Sequence, residues 1–151
     1  LIIQIPLGMY LVDMDFSEKR LTIENIHVAV GISIFYLTIL RLIYKAFNPT
    51  PKLNNSIFPG QKIIAKLNHV FLYISILMIT ISGALKKLYN GEELDMFFFN
   101  LEIQDNFDLA EIFYEIHILG NYTLIALISL HIFAVLIHKI LFKENLLKRI
   151  L

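Results

Sequence analysis

The chain contains no cysteine among its 151 residues. That excludes disulfides, thiolate metal ligands, iron–sulfur clusters and covalent attachment of a porphyrin through a Cys-x-x-Cys-His motif. Charge is also scarce. Asp, Glu, Lys and Arg together make 17% of the chain and the formal net charge is zero, so no nucleic-acid partner is expected. No polar stretch is long enough to house a soluble domain. The start of the chain lacks a basic n-region and a small-residue cleavage site, which argues against a signal peptide. What fills the chain is apolar: 57% hydrophobic residues and a mean hydropathy of +0.67, the composition of a small helical membrane protein.

Three apolar runs are long enough to cross a bilayer: Ile26–Phe47, Leu67–Leu85 and Phe113–Phe142. Leu1–Val12 is apolar too, but as a helix it reaches only about 18 Å. It reads as the latter half of a membrane helix whose front half precedes Leu1. The expectation is an all-α membrane protein, a four-helix transmembrane bundle in one domain over residues 1–151. Its helices should lie at about 1–12 (partial), 26–47, 67–88 and 111–142. Asn48-Pro49-Thr50-Pro51 breaks the helix that precedes it.

The connections differ in charge. Lys45, Lys52, Lys62 and Lys66 follow the first full span, and Lys139, Lys143, Lys148 and Arg149 close the last. The other two connections carry Asp13, Asp15, Glu18 and Glu24, and the acidic run from Glu92 to Glu115. The positive-inside rule places the basic loops and the C-terminus in the cytoplasm. Lys19, Arg20, Lys86 and Lys87 sit against this bias. Within the long acidic loop, Phe97-Phe98-Phe99 reads as an interfacial anchor or plain packing, or else as a lid over a nearby site.

Histidine is the residue that the spans retain. His117 and His131 are fourteen residues apart on one helix, which returns them to nearly the same face about 21 Å apart. Ionisable residues in lipid are costly, and this register points to two stacked metal cofactors. His27 stands at the same depth as His117 on another helix. Such a pair can take both axial positions of a haem iron. Without cysteine, any haem must be held non-covalently. His131 needs its own partner: His69, His138 or a histidine upstream of Leu1. His69, beside Asn68, also reads as a cap, an interfacial residue or a quinone-headgroup contact. His138 also reads as a propionate contact or an interfacial residue. Gly31, one turn after His27, and Gly120, near His117, would let a flat macrocycle approach the backbone, or would serve helix packing; Gly83 reads the same way. Arg41 would bind a haem propionate or snorkel to headgroups.

These residues resemble one known family. His27-Val28-Ala29-Val30-Gly31-Ile32-Ser33, Arg41-Leu42 and Asn48-Pro49-Thr50-Pro51 are similar to the second helix and following loop of bacterial cytochrome b561 proteins. The last helix, with His117, Gly120-Asn121, Leu130-His131-Ile132 and His138, resembles that family too, as does Lys143-Glu144-Asn145-Leu146-Leu147-Lys148-Arg149. The resemblance implies a di-haem b protein of the bacterial inner membrane. One haem would be held by His27 and His117 on the periplasmic side. The other would be held by His131 and a first-helix histidine, which would fall just before Leu1. Ile116 and Ile118 stand where family members often carry Trp and Glu.

The expected function is electron transfer across or within the inner membrane, to or from a quinone. Oxidation of superoxide on the periplasmic side is one form of it, although the acidic outer loops disfavour steering of an anion. The alternative is a haem b anchor subunit that docks a periplasmic dehydrogenase or hydrogenase. A small non-redox transporter is a third class, but broken helices and mid-membrane charges are lacking.

Overall fold

Ser17 starts the first long helix by accepting a hydrogen bond on its side chain from the Arg20 amide at 3.2 Å, with Glu18 in the first turn where the helix dipole favours an anion. A computed structural model describes residues 1–48 and 60–141, without the side chains of residues 61, 62, 138, 139 and 141. The proline segment after Asn48, the basic tail from Lys143 and the His138 side chain lie outside the described residues.

The order of elements is α1 (Gln4–Val12), α2 (Glu18–Phe47), α3 (Gln61–Tyr89), β1 (Leu94–Asp95), β2 (Asn100–Leu101) and α4 (Phe107–Leu141). The fold is all-α, as expected, apart from this two-residue ladder. The stretches Glu18–Phe47, Ile63–Tyr89 and Phe107–Ile137 are each long and apolar enough to span a membrane. The helices extend past the apolar runs that announced them. α2 begins at Glu18 rather than near Ile26, α3 at Gln61 rather than near Leu67, and α4 at Phe107 rather than near Glu111. Local caps set these starts, not hydrophobicity. Asn106 plays the part of Ser17 for α4, its Oδ1 accepting from the Leu109 amide at 3.1 Å. His27 therefore does not begin its helix but lies more than two turns inside it.

α3 ends in a Schellman motif. Gly91, at φ 79°, donates to the Leu88 carbonyl at 3.0 Å, and Glu92 donates to Lys87 at 3.2 Å. The chain then forms an antiparallel ladder, Leu94 opposite Leu101 and Asp95 opposite Asn100. Phe97 turns it at φ 69°, an uncommon angle for an aromatic residue. The ladder is clasped to α2: Leu94, 1% exposed, packs with Ile32 and Leu88, and the Tyr36 hydroxyl donates to the Met96 carbonyl at 3.1 Å.

α3 runs closely along α4, and α2 packs on both α3 and α1, whereas α2 and α4 are not closely packed on each other. The outer faces carry the large apolar side chains: Leu37, Leu40, Ile74, Leu119 and Phe133 are all exposed. Several of the most enclosed residues are small and polar, among them Thr38, Ser75 and Ser82. Thr38 and Ser82 satisfy their hydroxyls on carbonyls of their own helices. Apolar surface outward and small polar residues inward is the pattern of a bundle whose solvent is lipid.

Candidate metal centre

The gap between α2 and α4 is bridged by two imidazoles. His27 of α2 and His117 of α4 face each other with ring centroids 6.2 Å apart and planes at 73°. Two opposed metal–nitrogen bonds of about 2 Å each, plus the two half-rings, place centroids roughly 6 Å apart. The separation of the pair therefore fits two imidazoles that would hold one metal ion between them. The helices that carry them stand apart where a macrocycle would need room.

Each ring is held in its own way. The Nδ1 of His117 lies 2.9 Å from the Ile79 carbonyl of α3. A carbonyl can only accept, so Nδ1 carries the proton and Nε2 keeps its lone pair for a metal. Gly83, one turn further along α3, makes space for the same ring: a Cβ there would come within 2.9 Å of the His117 Cε1 and Nδ1. Gly8 of α1 does this for His27, where a Cβ would meet Cε1 at 2.9 Å. The Gln4 amide nitrogen donates to the His27 carbonyl at 2.8 Å. Among the described residues, the buried His27 Nδ1 and Gln4 Oε1 have no hydrogen-bond partner.

A cavity of about 450 Å³ surrounds this pair, walled by all four helices. That is within the range of small-molecule and cofactor sites. Gly31 lines it, as do Gly8 and Gly83. Gly120 does not; it is a packing residue of the α3–α4 contact, where a Cβ would meet Ile79 Cγ1 at 2.8 Å. The end of the cavity near the acidic loops carries Arg20, Lys86 and Lys87 together with Glu24. Lys86 pairs with Glu24 at 3.2 Å, tying α3 to α2, and the largely buried Lys87 pairs with Glu92 at 2.6 Å. Arg20 donates to the Met14 carbonyl. Burial alone would raise the Glu92 carboxyl, but hydrogen bonds from Lys87 and Asn90 and the charges of Lys87 and Lys86 outweigh it and hold it below the ordinary glutamate value.

Two further histidines meet at the opposite end. His131 of α4 meets His69 of α3, with centroids 5.2 Å apart and planes at 53°. The Asn68 side-chain amide lies 3.3 Å from the His131 Nδ1. Arg41 is remote from the cavity; its Nε donates to the Tyr73 hydroxyl at 3.0 Å, and Lys45 lies over the same ring.

Gln4 and Gly8 line the cavity although periodicity and spacing did not single them out, and Arg20, Lys86 and Lys87 stand out only as cations against the charge bias. Of Gln4 and Gly8, Gln4 left a signal, as a polar residue inside the short apolar stretch that opens the chain.

Comparison with known proteins converges on one description. The family model for prokaryotic cytochrome b561 matches residues 1–151. A curated relative, cytochrome b561 homolog 2 of Escherichia coli (strain K12), is 24% identical over 149 residues, which cover 96% of this chain and 79% of that protein.

Proposed function

This chain belongs to the prokaryotic cytochrome b561 family, and from that premise we propose that it is a membrane electron carrier with haem b between His27 and His117. The observation that carries the reading is the facing imidazole pair, 6.2 Å between centroids, at the wall of a cavity of about 450 Å³. Haem b bound there supplies reversible one-electron redox chemistry at iron.

The protein's own residues do the rest. His27 and His117 would hold the iron through one imidazole nitrogen each. The Ile79 carbonyl fixes the His117 tautomer and strengthens its ring as a donor. Gly8, Gly31 and Gly83 keep the approach to the rings and the backbone open. The cations Arg20, Lys86 and Lys87 would meet the cofactor's carboxylates at the acidic-loop end; Arg41, remote from this cavity, is left for a headgroup or a second site. Apolar helix faces keep bulk water away, which strengthens each of these contacts.

In the same reading, His131 would be a ligand of a second haem at the far end. Electrons would then pass along the bundle between the two ends, with a membrane quinone as donor or acceptor in the bacterial inner membrane and the C-terminus in the cytoplasm. The pairing of Lys86 and Lys87 with Glu24 and Glu92 weakens any positive field at the acidic-loop end. It thereby counts against steering of superoxide to that face.

The test is a reduced-minus-oxidised optical spectrum with haem quantitation on detergent-purified protein. Bound haem b that is lost from one site in His27→Ala and in His117→Ala supports the reading. A protein without haem, or variants that keep all of it, would refute it.

A further inference from the structure

Two buried polar atoms on neighbouring residues are left without partners, and they are complementary. His27 Nδ1 and Gln4 Oε1 are both enclosed, and among the described residues neither makes a hydrogen bond. One is the ring nitrogen that must carry the proton if Nε2 is to ligate a metal. The other can only accept. The two residues are already joined by a bond from the Gln4 Nε2 to the His27 carbonyl at 2.8 Å. That bond also fixes which end of the amide is nitrogen, since oxygen facing a carbonyl would be repelled.

The surroundings are built for this contact. Gln4 and Gly8 are four residues apart on α1, so they share a helix face. Gly8 leaves the edge of the His27 ring free, with Cε1 2.9 Å from where a Cβ would be. On the neighbouring helix the Gln4 amide nitrogen lies against Gly31, where a Cβ would be at an ordinary contact distance of 3.5 Å. The far imidazole already has its anchor in the Ile79 carbonyl. His27 is the ring of the pair that lacks one.

We propose that Gln4 is the positioning residue of His27, its Oε1 accepting the Nδ1–H so that Nε2 is presented to the metal as a stronger donor. Oε1 and Nδ1 are not bonded to each other in the structure, so the contact requires the flexible Gln4 side chain to reorient. The inference rests on the haem reading above and deepens it: α1 contributes no iron ligand to this site, yet it sets the electron donation of one. An acceptor on Nδ1–H makes imidazole a better donor and favours the oxidised iron. Gln4 therefore lowers the reduction potential of the haem between His27 and His117.

The experiment compares Gln4→Met and Gln4→Glu in the haem-loaded protein by redox titration and by electron paramagnetic resonance of the ferric form. Met keeps the length and removes both amide groups. Glu removes the donor to the His27 carbonyl and keeps an acceptor. The expected result is a higher potential with altered g values in Gln4→Met, and a potential at or below that of the parent in Gln4→Glu. If both variants shift upward together, the amide merely ties α1 to α2 through the His27 carbonyl, and the proposal falls. It falls also if Gln4→Met leaves the potential unchanged. Should Gln4→Met fail to retain haem, Gln4→Glu decides: retention at or below the parent potential supports the proposal, and loss overturns it. Absence of haem from the parent protein would instead refute the haem reading itself.

Discussion

The chain assembles two histidine pairs, one at each end of its bundle, and they differ in the helices that carry them. His27 and His117 come from α2 and α4, which stand apart, and their centroids are 6.2 Å from each other. His69 and His131 come from α3 and α4, which are the most closely packed helices, and their centroids are 5.2 Å apart. The first pair has room between its carriers for a flat group and glycines cut to each ring. The second has an asparagine amide against one ring, and its two carriers are pressed together. Imidazole is the same ligand in both places. What separates a site able to straddle a macrocycle from one that is not is the spacing of the backbones behind the rings.

Removing the rings tests this contrast most severely. His27→Ala and His117→Ala should each abolish haem binding at the first pair. His69→Ala should leave the haem content unchanged, because its ring has no place opposite His131 for a macrocycle. Pyridine haemochrome quantitation reads both outcomes, and equal losses in all three variants would erase the distinction. Filling the notches comes next. Gly8→Val and Gly83→Val each push a side chain into an imidazole edge 2.9 Å away. Overpacking of this kind costs about 1–3 kcal/mol, so haem retention should weaken roughly tenfold. Helix content by circular dichroism should stay near that of the parent.

A smaller effect sharpens the second pair. Asn68→Leu removes the amide 3.3 Å from His131, a contact worth about 1 kcal/mol. Only the spectroscopic signature and potential of a haem at His131 should move, and those at His27 and His117 should not. The smallest effect belongs to the acidic loop. Glu92 has a lowered carboxyl pKa in the folded chain. Its contribution to stability is therefore complete above the ordinary glutamate value of about 4.3 and is lost as pH falls from there through the lowered value. Glu92→Gln should remove that acid dependence in thermal unfolding at a cost below about 1 kcal/mol.

The spans were legible because each is a long apolar run, and the all-α fold followed from them. Their ends were not. Ser17 and Asn106 cap α2 and α4 with their side chains, and both lie outside the long apolar runs. Matching depth was enough to anticipate that His27 and His117 would lie side by side, since both sit near the same edge of the bilayer-length runs. The neighbours of those rings were not legible. Whether Gly83 or Gly120 faces a ring depends on how α3 is rotated against α4, and Gly83 proves to be the one that does. Likewise, the packing of α2 on α3 sets Arg41 against Tyr73. Gln4 and Gly8 belong to α1, whose 9 residues are too few for a hydrophobic period to fix their orientation. Strands of two residues leave no alternation at all to read.

The clasp between Tyr36 and Met96 carries a consequence in time. Its two ends are 60 residues apart in the chain, and everything between them includes the whole of α3. A ribosome delivers Tyr36 long before its partner exists. Until Met96 has been made, the Tyr36 hydroxyl lacks the partner it has in the finished fold. The ladder that carries Met96 needs Asn100 and Leu101 to form, so α2 is secured only when the chain has been made past that point. The clasp is thus a record of completed insertion, closing on α2 after the helix that must lie beside it has arrived.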